Sequence, residues 1–372
     1  MQTAHRFTNL PPYTPIEPFE VLSVRLGRSP EAIVKLDANE NPYGPSPLVR
    51  SALANLEFPH IYPDPESRIL RAALAEFTGV PTENLMAGSG ADELIDLLLR
   101  VMLEKDDLVI NCPPTFGMYP FDTQLNAGSV IDIPRRADFS LDITAIRAAV
   151  ATRRPRVLFV TAPNNPDGRF PIQDEIKALL ELPVMVVIDE AYIEFCDDGG
   201  RLGEKKTHLH ETLHRDNLVV LRTFSKWAGL AGLRVGYGAF PAWMMPVLWK
   251  AKQPYNVNVA ASTAALVSLH DLDYLSTVVE LLKSERLRLY THLSRVPFLH
   301  PFPSQANFIL CRVLKPLTAV EIKSSLMAQG ILVRHYNTPL LQDYIRVSVG
   351  KPEHTDVLIS ALLELSHDKG ME

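Results

Sequence analysis

The chain has 372 residues, is 47% hydrophobic and carries a net charge of −6 at pH 7: long enough for two or three domains with a buried core, and without the concentrated basic surface that nucleic-acid binding needs. The densest apolar run, LIDLLLRVML, is broken by Asp96 and Arg100, and the opening MQTAHRFTNLPPYTP lacks the basic start and apolar stretch of a signal peptide, so neither a membrane span nor export is expected and the default address is cytoplasmic. Cys112, Cys196 and Cys311 are odd in number and form no CxxC pair, which argues against a disulfide framework or a thiolate metal site.

Residues 8–20, TNLPPYTPIEPFE, hold too many prolines for a regular helix and predict an extended arm able to lie across a neighbouring surface. In GSGADELIDLLL (88–99) two glycines stand at the mouth of a helix, where free N–H groups and the helix dipole suit a phosphate. The spacing is not G-x-G-x-x-G, and Asp92 and Glu93 read equally as acids favoured at a helix start. Beyond it, the Val/Ile-rich runs DLVIN (107–111), SVIDIP (129–134), RVLFVTA (156–162), PVMVVIDE (183–190) and NLVVLRT (217–223) alternate with helical patterns. That alternation predicts a mainly parallel sheet covered by helices on both faces, an α/β domain over residues 36–258 that follows an arm of residues 1–35.

Two of these strands end in polar residues. TAPNNPDG (161–168) sets Asn165 ahead of Pro166, as an ordinary turn would. PVMVVIDEAYIEF brings Asp189 to a strand's carboxyl end, where open α/β sheets place ligands, although a helix N-cap explains an aspartate there as well. HETLH (210–214) matches the zinc-peptidase pattern H-E-x-x-H. Its surroundings, EKKTHLHETLHRDN, are too polar for a catalytic helix in a cleft, and the motif is read as an exposed helix. In RTFSKWAGLAGLRVGYG (222–238), Lys226 stands among Gly, Ala and Leu, and desolvation there favours the neutral, nucleophilic amine. Thr223, Ser225 and Arg234 flank it with groups able to hold a phosphate. Residues 259–372 carry helical stretches near 259–292, then ANFILCRV, a helix-like IKSSLMAQG, ILVRHY and DYIRVSVG, the pattern of a smaller α+β domain.

Taken together, Asn-Pro-x-Gly at 165–168, Asp-x-x-Tyr at 189–192 and Lys226 followed by Arg234 resemble the fold-type I aminotransferases. LDANENPYGPSP (36–47), GSGADELI, PPTFGMY (113–119), DEAYIEF, SKWAGLAGLRVGY and YIRVSVG resemble, more narrowly, the histidinol-phosphate aminotransferase family, from about residue 15 to the end. The resemblance implies pyridoxal 5'-phosphate as cofactor, with Lys226 its covalent anchor and proton shuttle and Asp189 the partner of its ring nitrogen. Asn165 and Tyr192 would contact the ring's 3-oxygen and Phe116 would stack on the ring. The backbone N–H groups of Ala91 and Asp92 would hold the phosphate together with Thr223, Ser225 and Arg234. It further implies L-histidinol phosphate and 2-oxoglutarate as substrates, giving glutamate, and a homodimer in which Tyr62 reaches the neighbouring cofactor phosphate. An aromatic aminotransferase or a threonine-phosphate decarboxylase of the same fold would share nearly all these contacts. The chain departs from the family with Asp167 where Thr is common and with Phe116 where Tyr is frequent.

Both proposed substrates present an anion at the reacting carbon, and a guanidinium can pair bidentately with carboxylate or phosphate. In YIRVSVG, Ile345, Val347 and Val349 alternate with Arg346 and Ser348, so a strand turns Arg346 away from its apolar neighbours. A solvent-facing arginine on a half-exposed sheet is the plainer alternative. The resemblance makes Arg346 the substrate's anion partner and Arg334 a second, with Phe19 and Tyr62 of the partner chain closing the pocket.

Overall fold

A computed structural model describes residue 7 and residues 17–197, 202 and 206–370. In chain order the elements are α1 (Phe19–Leu26), β1 (Val34–Leu36), α2 (Pro47–Ala54), α3 (Arg68–Thr78), β2 (Leu85–Gly88), α4 (Gly90–Met102), β3 (Leu108–Asn111), α5 (Met118–Leu125), β4 (Ser129–Asp132), α6 (Ile143–Arg153), β5 (Val157–Thr161), α7 (Gln173–Leu180), β6 (Met185–Asp189), β7 (Leu218–Thr223), β8 (Gly236–Ala239), α8 (Met245–Ala251), α9 (Val259–His270), α10 (Leu272–Leu293), β9 (Leu299–Pro301), β10 (Phe308–Val313), α11 (Ala319–Ala328), β11 (Ile331–His335), β12 (Tyr344–Ser348) and α12 (Pro352–Asp368).

Seven strands form one sheet in the order β2-β8-β7-β6-β5-β3-β4, parallel except for β8. All five apolar runs became strands; β3, β5, β6 and β7 are covered on both faces, whereas β4 is a half-buried edge strand. Val187, Val219 and Leu221 pack on one side with Leu94, Ile95 and Leu98 of α4. Val186, Ile188, Leu218 and Val220 pack on the other with Leu70 and Leu74 of α3 and Leu179 of α7. Each such side chain contributes roughly 1.5–3 kcal/mol over leaving it in water, which outweighs any local propensity. The parallel pairing also brings the carboxyl ends of β5, β6 and β7 to one edge. Thr161 is in register with Asp189 there.

β2 and β8 were not read as strands, being four residues long and rich in glycine and alanine. Their composition has a steric cause, since a Cβ on Gly236 would lie 2.7 Å from the Ala91 nitrogen. Glycine lets β8 pass against the opening of α4.

The second sheet has the order β1-β11-β12-β10-β9, antiparallel except for the β1–β11 pair. The chain's N-terminal segment thus contributes a strand to the C-terminal sheet. Residues 8–16 of the expected arm lie outside the described residues, and the stretch does not stay extended to residue 20. Pro18 fixes φ just ahead of α1, so Phe19 and Glu20 open that helix instead. On β12, Arg346 does point opposite to Ile345 and Val347, but every residue from Ile345 to Val349 is buried, so the half-exposed sheet is excluded.

HETLH is not an α-helix. Leu209–Leu213 form a short 3-10 turn that buries Leu209 and Thr212. At about 120° per residue this winding sends residues four apart in different directions, and His210 and His214 are both exposed. Glu211 Oε1 instead lies 2.7 Å from His208 Nδ1. Among the described residues no cluster of His, Cys, Asp or Glu could hold a metal ion.

Candidate active site

Beyond β7 the chain dives into the core and resurfaces with a lysine. Phe224 and Trp227 are fully buried, 5.5 Å apart, and Trp227 stacks on Phe77 of α3 at 5.8 Å. Gly229, at φ +68°, lets the turn touch the Gly44 carbonyl, where any Cβ would sit 2.5 Å away. Between these anchors Lys226 is held with its Nζ donating to the Ala38 carbonyl at 3.3 Å. Burial, reinforced by the Arg346 charge, lowers the ammonium to about 8.

The Lys226 amine opens into a cavity of about 120 Å³ at the shared strand edge. Its lining includes Ala91, Asp92, Phe116, Asn165, Asp189, Tyr192, Thr223, Ser225 and Arg234. Nine residues named from the sequence for one ligand, scattered from position 91 to 234, therefore meet Lys226 in one hollow.

One end is built around a carboxylate. Asp189 ends β6 and is buried; its Oδ2 accepts from the Tyr119 hydroxyl at 2.7 Å and its Oδ1 from the Ala191 N–H at 3.0 Å. Burial pushes the acid up to about 6, with the Tyr119 and Ala191 bonds pulling the other way. Phe116 flanks this end, edge-on to Tyr119 at 5.5 Å.

The opposite end is built to receive an anion. Gly90 and Ala91 start α4, and the side chain of its preceding residue, Ser89, makes no capping bond to the first-turn N–H groups. Arg234, at φ +56°, directs its guanidinium across that helix mouth. A Cβ on Gly90 would meet it at 2.6 Å, so glycine makes the cradle. The guanidinium donates to Asp92 Oδ2 at 2.7 Å. Thr223 and Ser225 join their hydroxyls at 2.8 Å on the same side. Bared N–H groups, two hydroxyls and a guanidinium form a donor set fitted to a phosphate ester.

Between the two ends lie Tyr192 and Asn165. The Tyr192 hydroxyl accepts from Asn39 Nδ2 at 3.1 Å, which leaves its own proton to give, and burial holds that proton by raising the phenol to about 12. Asn165 Oδ1 accepts from Arg346 at 2.6 Å, which turns the amide nitrogen the other way. Arg346, 5% exposed, also donates to the Asp37 carbonyl at 2.7 Å and lies 5.2 Å over the Phe308 ring, while its buried Nε has no partner among the described residues.

Three of the residues named from the sequence stand elsewhere in the single chain. Tyr62 is 79% exposed and stacks on Tyr255 at 4.6 Å. Phe19 is exposed in the first turn of α1. Arg334 is in register with Arg346 across the β11–β12 pair but lines a separate cavity with Arg25, Asp37 and His335. Conversely, sequence reasoning gave no role to Tyr119, Thr161 or Asn39. Thr161 could have been found as the polar end of an apolar strand. Asn39 gives no such signal, because its partners Ser348 and Asn307 come from the far end of the chain.

Residues 31–362 match the model of the family described as aminotransferase class I and II. Over 95% of its length the chain is 54% identical to a chloroplastic histidinol-phosphate aminotransferase of Nicotiana tabacum, covering 84% of that protein. A histidinol-phosphate aminotransferase of Roseiflexus castenholzii is 48% identical, with 96% of each chain covered. Among solved structures, a histidinol-phosphate aminotransferase from Sinorhizobium meliloti in complex with pyridoxal-5'-phosphate superposes with a TM-score of 0.87 at 27% identity, covering 98% of this chain and 99% of that one.

Proposed function

The chain belongs to the class I and II aminotransferase family, and from that premise we propose that it is a pyridoxal 5'-phosphate-dependent transaminase exchanging an amino group between L-histidinol phosphate and 2-oxoglutarate, a step of histidine formation. The observation that carries this reading is the single cavity in which a depressed lysine, a buried carboxylate and an anion cradle face one another. When bound, pyridoxal phosphate supplies an electron sink that lets the proton on an amine-bearing carbon be removed. The chain's residues do the rest. Lys226 is the covalent anchor and carries that proton to and from the reacting carbon. Asp189 would accept from the ring nitrogen and keep it protonated, Tyr192 and Asn165 would donate to the 3-oxygen, and Phe116 would cover the ring face. Ala91 and Asp92 N–H groups, Thr223, Ser225 and Arg234 bind the phosphate.

Arg346 supports the substrate assignment. A planar fork with an unpartnered, buried Nε suits an incoming carboxylate or phosphate at the reacting carbon, and Arg334 stands beside it on β11 as the second cation. The molecule acts as a homodimer, with Phe19 and Tyr62 completing the partner's pocket. No described helix is long and apolar enough to cross a membrane; the cytoplasmic address is part of this proposal, and cell fractionation tests it. A transamination panel on purified protein tests the reaction. Histidinol phosphate should be turned over well ahead of phenylalanine and threonine phosphate, with no carbon dioxide released. Equal turnover of phenylalanine would make the chain an aromatic transaminase, and carbon dioxide from threonine phosphate a decarboxylase.

A further inference from the structure

Tyr119 lies beneath the cavity rather than in it, fully buried, its ring stacked on Phe159 at 4.5 Å with 4° between the planes. Its hydroxyl sits 2.7 Å from Asp189 Oδ2 and 2.8 Å from Thr161 Oγ1. We propose that Tyr119 is a positioning residue of this site, whose phenol fixes the orientation of the Asp189 carboxylate and tunes its hold on the cofactor's ring nitrogen. The inference rests on the pyridoxal phosphate reading given above.

Counting protons makes the assignment directional. An ionised carboxylate only accepts, so the Tyr119 proton goes to Asp189, and the phenol oxygen must then accept from Thr161. Thr115, 3.2 Å from Thr161, gives its own proton to Asn164 Oδ1 at 2.8 Å. Asn164 in turn donates to the Pro114 carbonyl at 3.0 Å and to the Asp167 carboxylate. One buried chain of polar contacts thus runs from the carboxylate under the ring nitrogen to the turn that carries Asn165. Asp167, the departure from the family's usual residue, closes that chain and also accepts from the Arg169 N–H at 2.8 Å.

Among the described residues, only one hydrogen-bond donor besides the Ala191 N–H reaches Asp189. Without the phenol, Oδ2 has no partner on that side, and the carboxylate is free to swing out of line with the ring nitrogen. The stacked ring explains why a tyrosine serves here: its position is set by Phe159 and Phe116, so the hydroxyl is delivered at fixed distance.

The test uses the holoenzyme and its Tyr119→Phe variant, which keeps the ring and removes one oxygen. Cofactor affinity, measured by fluorescence, should weaken about 10-fold, the scale of one charge-assisted hydrogen bond. In the half-reaction with histidinol phosphate, kcat should fall by about the same factor with KM within twofold, because the lost contact acts on the ring and not on substrate binding. The visible absorption of the bound cofactor should titrate at a shifted pH. Thr161→Val, which removes the donor to the phenol and leaves Tyr119 in place, should move all three readouts in the same direction and by less, and it carries the test should Tyr119→Phe fail to fold. Wild-type values for affinity, kcat and spectrum in the variants would overturn the proposal, as would a lowered melting temperature with unchanged kinetics, the mark of packing alone. A wild-type chain that does not bind pyridoxal phosphate would instead bring down the functional reading itself, and this inference with it.

Discussion

Burial acts on Lys226 and Asp189 in opposite directions, lowering the amine to about 8 and raising the acid to about 6. The neutral amine is the form that attacks a carbonyl, so cofactor capture should speed up as pH rises, with its midpoint near 8. Stopped-flow absorbance measures this; a rate flat from pH 7 to 9 would contradict it. Borohydride should fix the cofactor on Lys226 and on no other lysine, and Lys226→Ala should bind it weakly and lose turnover by several orders of magnitude. The raised Asp189 works through linkage. Between the ordinary 3.8 and about 6 the folded chain holds a proton that the unfolded chain has lost, so stability declines as pH climbs through that window. The decline attributable to this group is roughly 3 kcal/mol for a shift of about two units. Urea unfolding of the cofactor-free protein should show it, and Asp189→Asn should remove that part of the slope. At Arg346 a lysine keeps the charge and loses the fork. Arg346→Lys should therefore cost about 1–3 kcal/mol in kcat/KM for each half-reaction. Unchanged kinetics with both substrates would end the case for Arg346 as their common anchor.

Behind the strand edge, β6 and β7 are joined by an ion pair as well as by their ladder. Arg222 on β7 is fully buried and donates to Glu190 at 2.9 Å, just past the end of β6, with Glu194 at 3.8 Å and the Tyr237 hydroxyl of β8 at 3.4 Å. Glu190 also accepts from the Thr207 hydroxyl and the His208 N–H, both at 2.7 Å. Arg222→Leu would strand these carboxylates in the interior, and the expected loss is about 3–5 kcal/mol of unfolding free energy in urea. A loss under about 1 kcal/mol would mean that the pair is worth no more than an exposed one. Neither Glu190 nor Arg222 stood out in the sequence, where each reads as a charge at the border of an apolar run; only the sheet order shows that the two borders adjoin. The same limit explains which elements were legible. β5, β6 and β7 were visible because burial on both faces demands unbroken Val, Ile and Leu, whereas β2 and β8 were hidden by glycines required for close approach to α4. The strand ends carrying Asn165, Asp189 and Lys226 were visible in the sequence, and the fold brings the three residues to one cavity. Asn39 and Tyr119 were not visible in this way, because their roles depend on contacts across 153 and 70 residues.

At the scale of the whole molecule, the question is what covers the face around Tyr62. Phe58, Ile61, Tyr62 and Tyr255 are all substantially exposed, and His60, Tyr62 and Tyr255 border a hollow of about 560 Å³. Large apolar side chains gathered in this way mark an interaction surface more often than chance exposure. Under the proposed homodimer a second copy of the chain would cover this face and would give Tyr62 a task, since within its own subunit the phenol stacks on Tyr255 and is not among the residues lining the Lys226 cavity. If each pocket takes its lysine from one subunit and its tyrosine from the other, two defective chains can repair each other. Suppose Lys226→Ala and Tyr62→Ala proteins are mixed at equal concentration and allowed to exchange subunits. Every hybrid dimer then holds one doubly defective pocket and one pocket with both residues intact. Random pairing makes half of the dimers hybrids, so about a quarter of all pockets, and about a quarter of wild-type activity, should return. Pockets built within single chains would leave the mixture at the average of its two inactive parents. Light scattering on the wild-type protein supplies the independent check, because a fully active monomer is incompatible with a shared pocket at any level of complementation.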